Sequence, residues 1–187
     1  AQFLQLAQAQ EKNEVFAMFE TGVEVRTGAN PTAVENHVYT CKGRGIHVSD
    51  AGQGVIEANT IELCNLAGIE VETGGNATFK NNHVRNGSLC GVYVHDHGQG
   101  IFELNDISDN TLAGMEIQSV GNPVVRKNKI HHGKMPKVGV HDDGLGKGRD
   151  ILEAEIETLA RNRMDAVGCV ACQRQPRRDE RARQREA

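Results

Sequence analysis

Short alternating runs of apolar and polar residues recur at a fixed interval along most of the chain. Each run follows a glycine and reads apolar, polar, apolar, which is the period-two pattern of a strand with one buried face. The runs are Val23-Glu24-Val25, Ile46-His47-Val48, Ile69-Glu70-Val71, Val92-Tyr93-Val94 and Met115-Glu116-Ile117, so the period is 23. A repeat of fixed length predicts a solenoid, in which one structural unit stacks on the next.

Two further positions recur at the same interval, and we call each set of equivalent positions a column. One column consists of asparagines, and the other consists of β-branched residues two positions later. The asparagines are Asn13, Asn36, Asn59, Asn82, Asn105 and Asn128, and the β-branched residues are Val15, Val38, Ile61, Val84, Ile107 and Ile130. Three strand-like pieces in each repeat leave no room for a helix, and the dense leucine frame of leucine-rich repeats is absent. The pattern therefore predicts an all-β parallel β-helix of about six coils, spaced about 4.8 Å apart.

Stacking explains the asparagine column without any catalytic role. A side-chain amide can bond the same amide one coil away and the backbone of the turn beside it. We therefore interpret Asn36, Asn59, Asn82, Asn105 and Asn128 as a structural ladder.

The register is lost at both ends of the chain. Residues 1–12 are predicted to be a lead-in segment or N-terminal cap, and residues 13–150 form the β-helix. From 151 to 167 the apolar spacing becomes helical, which predicts a capping helix that covers the last coil. Residues 168–187 are dominated by Arg, Gln, Asp and Glu and are predicted to be a disordered charged tail.

Composition excludes several classes of function. The net charge of −4 gives no basis for binding nucleic acid or an anionic membrane surface. No apolar run approaches the roughly 18 residues that a membrane span needs. No cofactor is predicted, and the localisation stays unassigned, with cytoplasm or nucleus favoured over secretion.

The outward side chains of the first strand in each repeat are predicted to form a polar strip. We interpret this strip as a binding surface. One column and its neighbours supply these candidates: Glu24, His47, Glu70, Tyr93, Glu116, His95, Asp96, His141 and Asp142. Paired carboxylates about 5–10 Å apart can perform acid–base work on a glycosidic bond, and acidic clusters can hold Ca²⁺. Because Asp50, Asp96 and Asp142 recur at the start of Gly-rich turns, a turn-forming role is favoured. No catalytic residue and no metal ligand is assigned.

Two stretches carry a resemblance to a known family. Residues 91–107 (GVYVHDHGQGIFELNDI) and 121–133 (GNPVVRKNKIHHG) resemble the right-handed parallel β-helix repeats of the F-box-only protein 11 type. Similar repeats occur in the wider superfamily of carbohydrate-binding and sugar-hydrolase β-helices, which includes pectate lyases. The resemblance implies a right-handed coil. It also implies a substrate-recognition module of a ubiquitin ligase, although no F-box or Cys/His-rich finger is recognisable here.

Two functions follow as expectations. The first is a non-enzymatic scaffold that recognises a protein partner along the polar strip, in the manner of F-box-type adaptors. The alternative is a carbohydrate-binding or polysaccharide-cleaving β-helix. The sequence favours the binding scaffold, because the strip shows no cluster of unlike residues that breaks the repeat.

Overall fold

The chain winds into a parallel β-solenoid with three strands per coil. A computed structural model describes residues 4–5, 10–135 and 137–140. Sheet A contains β1 (Leu4–Gln5), β4 (Thr21–Val25), β7 (Arg44–Val48), β10 (Ile69–Val71), β13 (Val92–Val94), β16 (Met115–Ile117) and β19 (Val138–Val140). Sheet B contains β2 (Gln10–Glu11), β5 (Thr32–Val34), β8 (Val55–Glu57), β11 (Thr78–Lys80), β14 (Ile101–Glu103) and β17 (Val124–Arg126). Sheet C contains β3 (Glu14–Phe16), β6 (His37–Tyr39), β9 (Thr60–Glu62), β12 (His83–Arg85), β15 (Asp106–Ser108) and β18 (Lys129–His131).

Neighbouring strands in each sheet pair in parallel, with partners such as Ile69 and Val92 that are one repeat apart. The predicted all-β parallel fold is thus confirmed, and no helix lies within the described residues. Five complete coils run from β4 to β18, rather than the six that the asparagine column suggested. The coil of Asn13 includes residues 6–9, which are outside the described range, and β1 pairs with β4 out of the common register (Leu4 with Val23).

Several predictions for the ends of the chain lie outside the described residues. They are the capping helix at 151–167, the charged tail at 168–187, and the candidate residues His141 and Asp142. Within 1–12, the segments Leu4–Gln5 and Gln10–Glu11 pair as strands with β4 and β5.

The core is a narrow column of stacked aliphatic side chains closed by one aromatic pair. Sheet A contributes two inward positions per coil, such as Ile69 and Val71, and both are fully buried. Phe79 and Phe102 of sheet B stack with ring centroids 4.5 Å apart and planes 8° from parallel. Because each coil contacts mainly its two neighbours, stability is close to a sum over adjacent coils.

The asparagine ladder is formed as predicted, and it lies inside the coil. Asn82 is fully buried, and its amide nitrogen donates to the Ile56 carbonyl (2.8 Å) and to Asn105 Oδ1 (3.0 Å). Its own Oδ1 accepts hydrogen bonds from the backbone and side-chain nitrogens of Asn59, each at 3.0 Å. The ladder therefore provides hydrogen-bond partners for buried backbone groups at the corner between sheets B and C.

The glycine column and the β-branched column are explained by a single contact. A Cβ added to Gly68 would lie 2.4 Å from Val84 Cγ1, and one added to Gly91 would lie 2.5 Å from Ile107 Cγ2. Sheets A and C therefore approach so closely at this corner that the glycine makes room for a γ-methyl of the same coil. This packing links the two columns that the repeat displays in the sequence.

Candidate functional site on the outer face of sheet A

The polar strip predicted from the repeat lies on the outer face of sheet A. Strand pairing sets Glu24 opposite His47, and His47 opposite Glu70. The same register continues from Glu70 to Tyr93 and from Tyr93 to Glu116. We call this surface, together with the neighbouring outward residues of the same strands, the sheet A face.

Glu70 is the centre of the sheet A face. Its side chain is only 7% exposed, and it lies between Arg44 (Nε to Oε2, 2.7 Å) and His95 (Nε2 to Oε1, 3.2 Å). The Arg44 N–H is not aligned for a hydrogen bond, so this contact is an ion pair. Burial alone would raise the pKa of Glu70, but the hydrogen bond with His95 and the Arg44 guanidinium lower it to about 2. Glu70 is therefore a buried carboxylate that is ionised at neutral pH.

His95 and His47 each lie between two carboxylates. His95 contacts Glu70 through Nε2, and its Nδ1 lies 2.9 Å from Asp96 Oδ2. The hydrogen bond with Glu70 raises the pKa of His95, against the opposing effect of burial. His47 is buried, with Nε2 at 3.0 Å from Glu72 Oε1 and Nδ1 at 3.8 Å from Glu24 Oε1. Each ring thus contacts a carboxylate on a neighbouring coil through its Nε2 atom.

A different arrangement surrounds Tyr93 and Glu116. The Tyr93 hydroxyl donates to Gln118 Oε1 at 3.0 Å, and its ring stacks on His95 with centroids 4.2 Å apart. Gln118 and the Cys90 thiol both donate to Glu116. Burial raises the pKa of Cys90 to about 12, with Glu116 adding to the effect, so this thiol stays protonated. Among the described residues, the hydrogen-bond donors to Glu116 are therefore neutral, unlike the partners of Glu70.

A cleft of about 440 Å³ opens on this part of the face. Its floor is polar and includes Arg44, Glu70, Tyr93, His95 and Glu116. Its wall is the apolar column Leu66, Leu89 and Leu112, of which the first two are each 37% exposed. That column is therefore not part of the core, although its spacing in the sequence resembles that of the buried columns.

The structure separates the predicted candidates into two groups. Glu70, Tyr93, His95 and Glu116 line the cleft, whereas Glu24 and His47 are not among its lining residues. Asp96 is an exposed turn residue with φ of 43°, as is Asp50 with φ of 48°, which agrees with their interpretation as turn formers. The binding role of these candidates stays a prediction.

Arg44 and Cys90 are cleft residues that the strip did not include. They occupy one column, directly before the glycines Gly45 and Gly91. Their importance is not apparent from sequence because the other members of the column are Thr21, Ala67 and Ala113.

No helix in the described residues is long and apolar enough to cross a membrane.

Comparisons with known proteins bear on the fold. No match was found among curated proteins or among solved structures. The narrower F-box-type resemblance is not confirmed. A family model described as "Right handed beta helix region" matches residues 9–98 and 67–149, which together make up most of the chain. The chain is therefore a member of the right-handed β-helix family.

Proposed function

We propose that this β-helix is a non-enzymatic recognition scaffold that binds a basic segment of a protein partner in the cleft on the sheet A face. This is the kind of role that the F-box-type resemblance implies for such repeats. The observation that carries the proposal is the contrast between Glu70 and Glu116. Glu70 already has two basic partners, Arg44 and His95, whereas Glu116 accepts its hydrogen bonds from Cys90 and Gln118.

The shape and chemistry of the cleft suit a lysine or arginine side chain. The aliphatic stem of such a residue can pack along Leu66, Leu89 and Leu112, while its charged head reaches Glu116. The Tyr93 ring beside Glu116 offers a second attraction for a cation. A charge-assisted hydrogen bond in a partly dehydrated cleft contributes about 1.5–3 kcal/mol.

Glu116→Gln tests this proposal. We expect wild-type protein on an array of short peptides to prefer those with Lys or Arg over matched acetyl-lysine or citrulline peptides. Glu116→Gln should weaken the binding of the preferred peptides by about tenfold, since about 1.4 kcal/mol corresponds to a factor of ten. Glu103→Gln is the matched control, because Glu103 lies on sheet B and pairs with Arg126 at 3.2 Å. Absence of a preference for basic peptides, or equal losses in the two variants, would contradict the proposal.

A second candidate function is binding or cleavage of a polysaccharide. Glu70 and Glu116 occupy the same column two coils apart, hence about 10 Å between their backbones. Two carboxylates at a spacing of this order can act as base and acid around a glycosidic bond and its attacking water. With a pKa of about 2, Glu70 would be the ionised member.

The glycan candidate predicts new reducing ends or thermal stabilisation when the protein is incubated with acidic or neutral polysaccharides. Glu70→Gln should abolish cleavage by removing the ionised carboxylate, and Asp96→Asn should weaken it through the orientation of His95. The panel is run with and without Ca²⁺. If no polysaccharide changes the melting temperature or is cleaved, this function is eliminated.

A further inference from the structure

We propose that His47, Glu70, Glu72 and His95 form a binding site for a divalent metal ion of the zinc class. Two of these residues, Glu70 and His95, also line the cleft. Metal binding at this site does not require that the cleft recognise a basic partner. The four residues belong to two different columns and three different coils, and none of them is predicted from the sequence to be a metal ligand.

The spacing of the donor atoms suits a small cation. His47 Nε2 lies 3.0 Å from Glu72 Oε1, and His95 Nε2 lies 3.2 Å from Glu70 Oε1 and 3.8 Å from Glu72 Oε2. Donor atoms of His47, Glu70 and Glu72 all lie within 4.8 Å of one another. Zinc binds nitrogen and oxygen at about 2.0–2.2 Å in a tetrahedron, which separates ligand atoms by about 3.4 Å. The donor atoms of His47, Glu70 and Glu72 are thus close to the spacing of a metal site, and His95 extends the cluster through its contacts with Glu70 and Glu72.

The contacts of the far ring nitrogens are a second observation. Both rings direct Nε2 toward the coil that contains β10. His47, on the preceding coil, contacts Glu72, and His95, on the following coil, contacts Glu70. The far nitrogen of His95 contacts Asp96 at 2.9 Å, and that of His47 faces Glu24 at 3.8 Å. A carboxylate on the far nitrogen is the usual support of a metal-binding histidine, since it fixes the ring and raises the basicity of the ligating nitrogen.

The donor set selects the class of metal. Imidazole nitrogen with carboxylate oxygen suits Zn²⁺ and similar transition metals, whereas Ca²⁺ and Mg²⁺ prefer oxygen alone. Two carboxylates also balance a divalent charge. Arg44 contacts Glu70 through Oε2, which leaves Oε1 directed toward His95.

Sheet C offers a natural comparison within the described residues. His37 lies 2.8 Å from Glu62, but Arg85 also contacts that carboxylate at 2.8 Å. His131 contacts Asp106 at 2.8 Å, with Lys129 at 3.8 Å from the same carboxylate. Neither of these sites brings two imidazoles together with two carboxylates among the described residues. The convergence of two imidazoles on two carboxylates is seen on sheet A.

The sequence also contains a Cys-x-x-Cys motif at Cys169 and Cys172, which is a candidate competing zinc site. Isothermal titration with Zn²⁺ tests the proposal on the full chain carrying Cys169→Ser and Cys172→Ser, which removes this motif. We expect one Zn²⁺ per chain, bound more tightly than Ca²⁺ or Mg²⁺. Bound Co²⁺ should give the visible bands of a tetrahedral nitrogen–oxygen site without thiolate charge-transfer bands. His47→Gln and Glu72→Gln should each weaken Zn²⁺ binding by about 100-fold or more.

His37→Gln is the matched control, and it should leave Zn²⁺ affinity unchanged. Circular dichroism confirms that each variant is folded, and Glu72→Gln, which keeps the side-chain shape, covers the case in which His47→Gln fails to fold. The proposal is overturned if the parent chain does not bind Zn²⁺, if Ca²⁺ binds more tightly, or if both Glu72→Gln and His47→Gln bind as the parent does. Any of these outcomes would mean that the four side chains contact one another without forming a metal site.

Discussion

Asn82→Ala is expected to destabilise the β-helix by about 4–6 kcal/mol, an unusually large loss for one substitution. The substitution removes four side-chain hydrogen bonds, two donated to Ile56 and Asn105 and two accepted from Asn59. The side chain is fully buried, so the partners left behind cannot be satisfied by solvent without opening the coil. Each buried polar group that loses its partner costs about 1–3 kcal/mol. For a chain of this size the melting temperature should fall by about 10–20 °C, measured by calorimetry or circular dichroism.

Asn76→Ala provides the control for the asparagine ladder. Asn76 is an exposed loop residue in the same coil, and its replacement should change the free energy of unfolding by about 0.5 kcal/mol or less. Similar melting temperatures for Asn82→Ala and wild type would show that the ladder does not hold the coils together. Because a solenoid loses stability locally, hydrogen exchange should report the greatest loss of protection in the coils next to Asn82.

Gly68→Ala is expected to cost about 3 kcal/mol, although it adds only one methyl group. That methyl would lie 2.4 Å from Val84 Cγ1 and 2.9 Å from the Gly91 carbonyl oxygen, so the corner between sheets A and C must open. Chemical denaturation of the variant measures the loss. Gly133→Ala is the control, because there the nearest atom to a new Cβ is 3.5 Å away and no shift is required.

A double-mutant cycle identifies the contact that causes the loss. Val84→Ala alone leaves a cavity in the core and is also destabilising. In the double variant Gly68→Ala/Val84→Ala, the new methyl occupies part of that space, so the two losses should not add. We expect a coupling free energy of at least about 1 kcal/mol in favour of the double variant. Strictly additive losses would contradict the close packing of glycine against the β-branched residue.

The repeat made the coil predictable, because parallel stacking converts a fixed sequence interval into vertical neighbours. Ile69, Ile46 and Val92 are predicted to lie in one column, and they pair in that register. The same argument correctly placed Asn82 inside a ladder and Tyr93 on the outer face. The number of complete coils was overestimated, because one asparagine belongs to a coil that includes residues 6–9.

Vertical columns did not predict which side chains on the sheet A face would interact. The polar pairs run diagonally, at an interval of 25 residues: His47 with Glu72, Glu70 with His95, and Tyr93 with Gln118. His37 with Glu62 and Asp106 with His131 on sheet C follow the same interval. Recurrence of complementary residue types at this interval was a signal available in the sequence.

The sequence by itself determined the parallel coil, the buried columns and the outward direction of Glu70 and Tyr93, because a repeat of constant length repeats its backbone geometry at every coil. Only the tertiary structure decided that Glu70 would be ionised between Arg44 and His95, that Glu116 would bond to Cys90 and Gln118, and that Leu66 would form a cleft wall. The reason is physical. Backbone stacking follows the period, whereas long polar side chains reach across coils to whichever charges and hydrogen-bond partners compensate their burial.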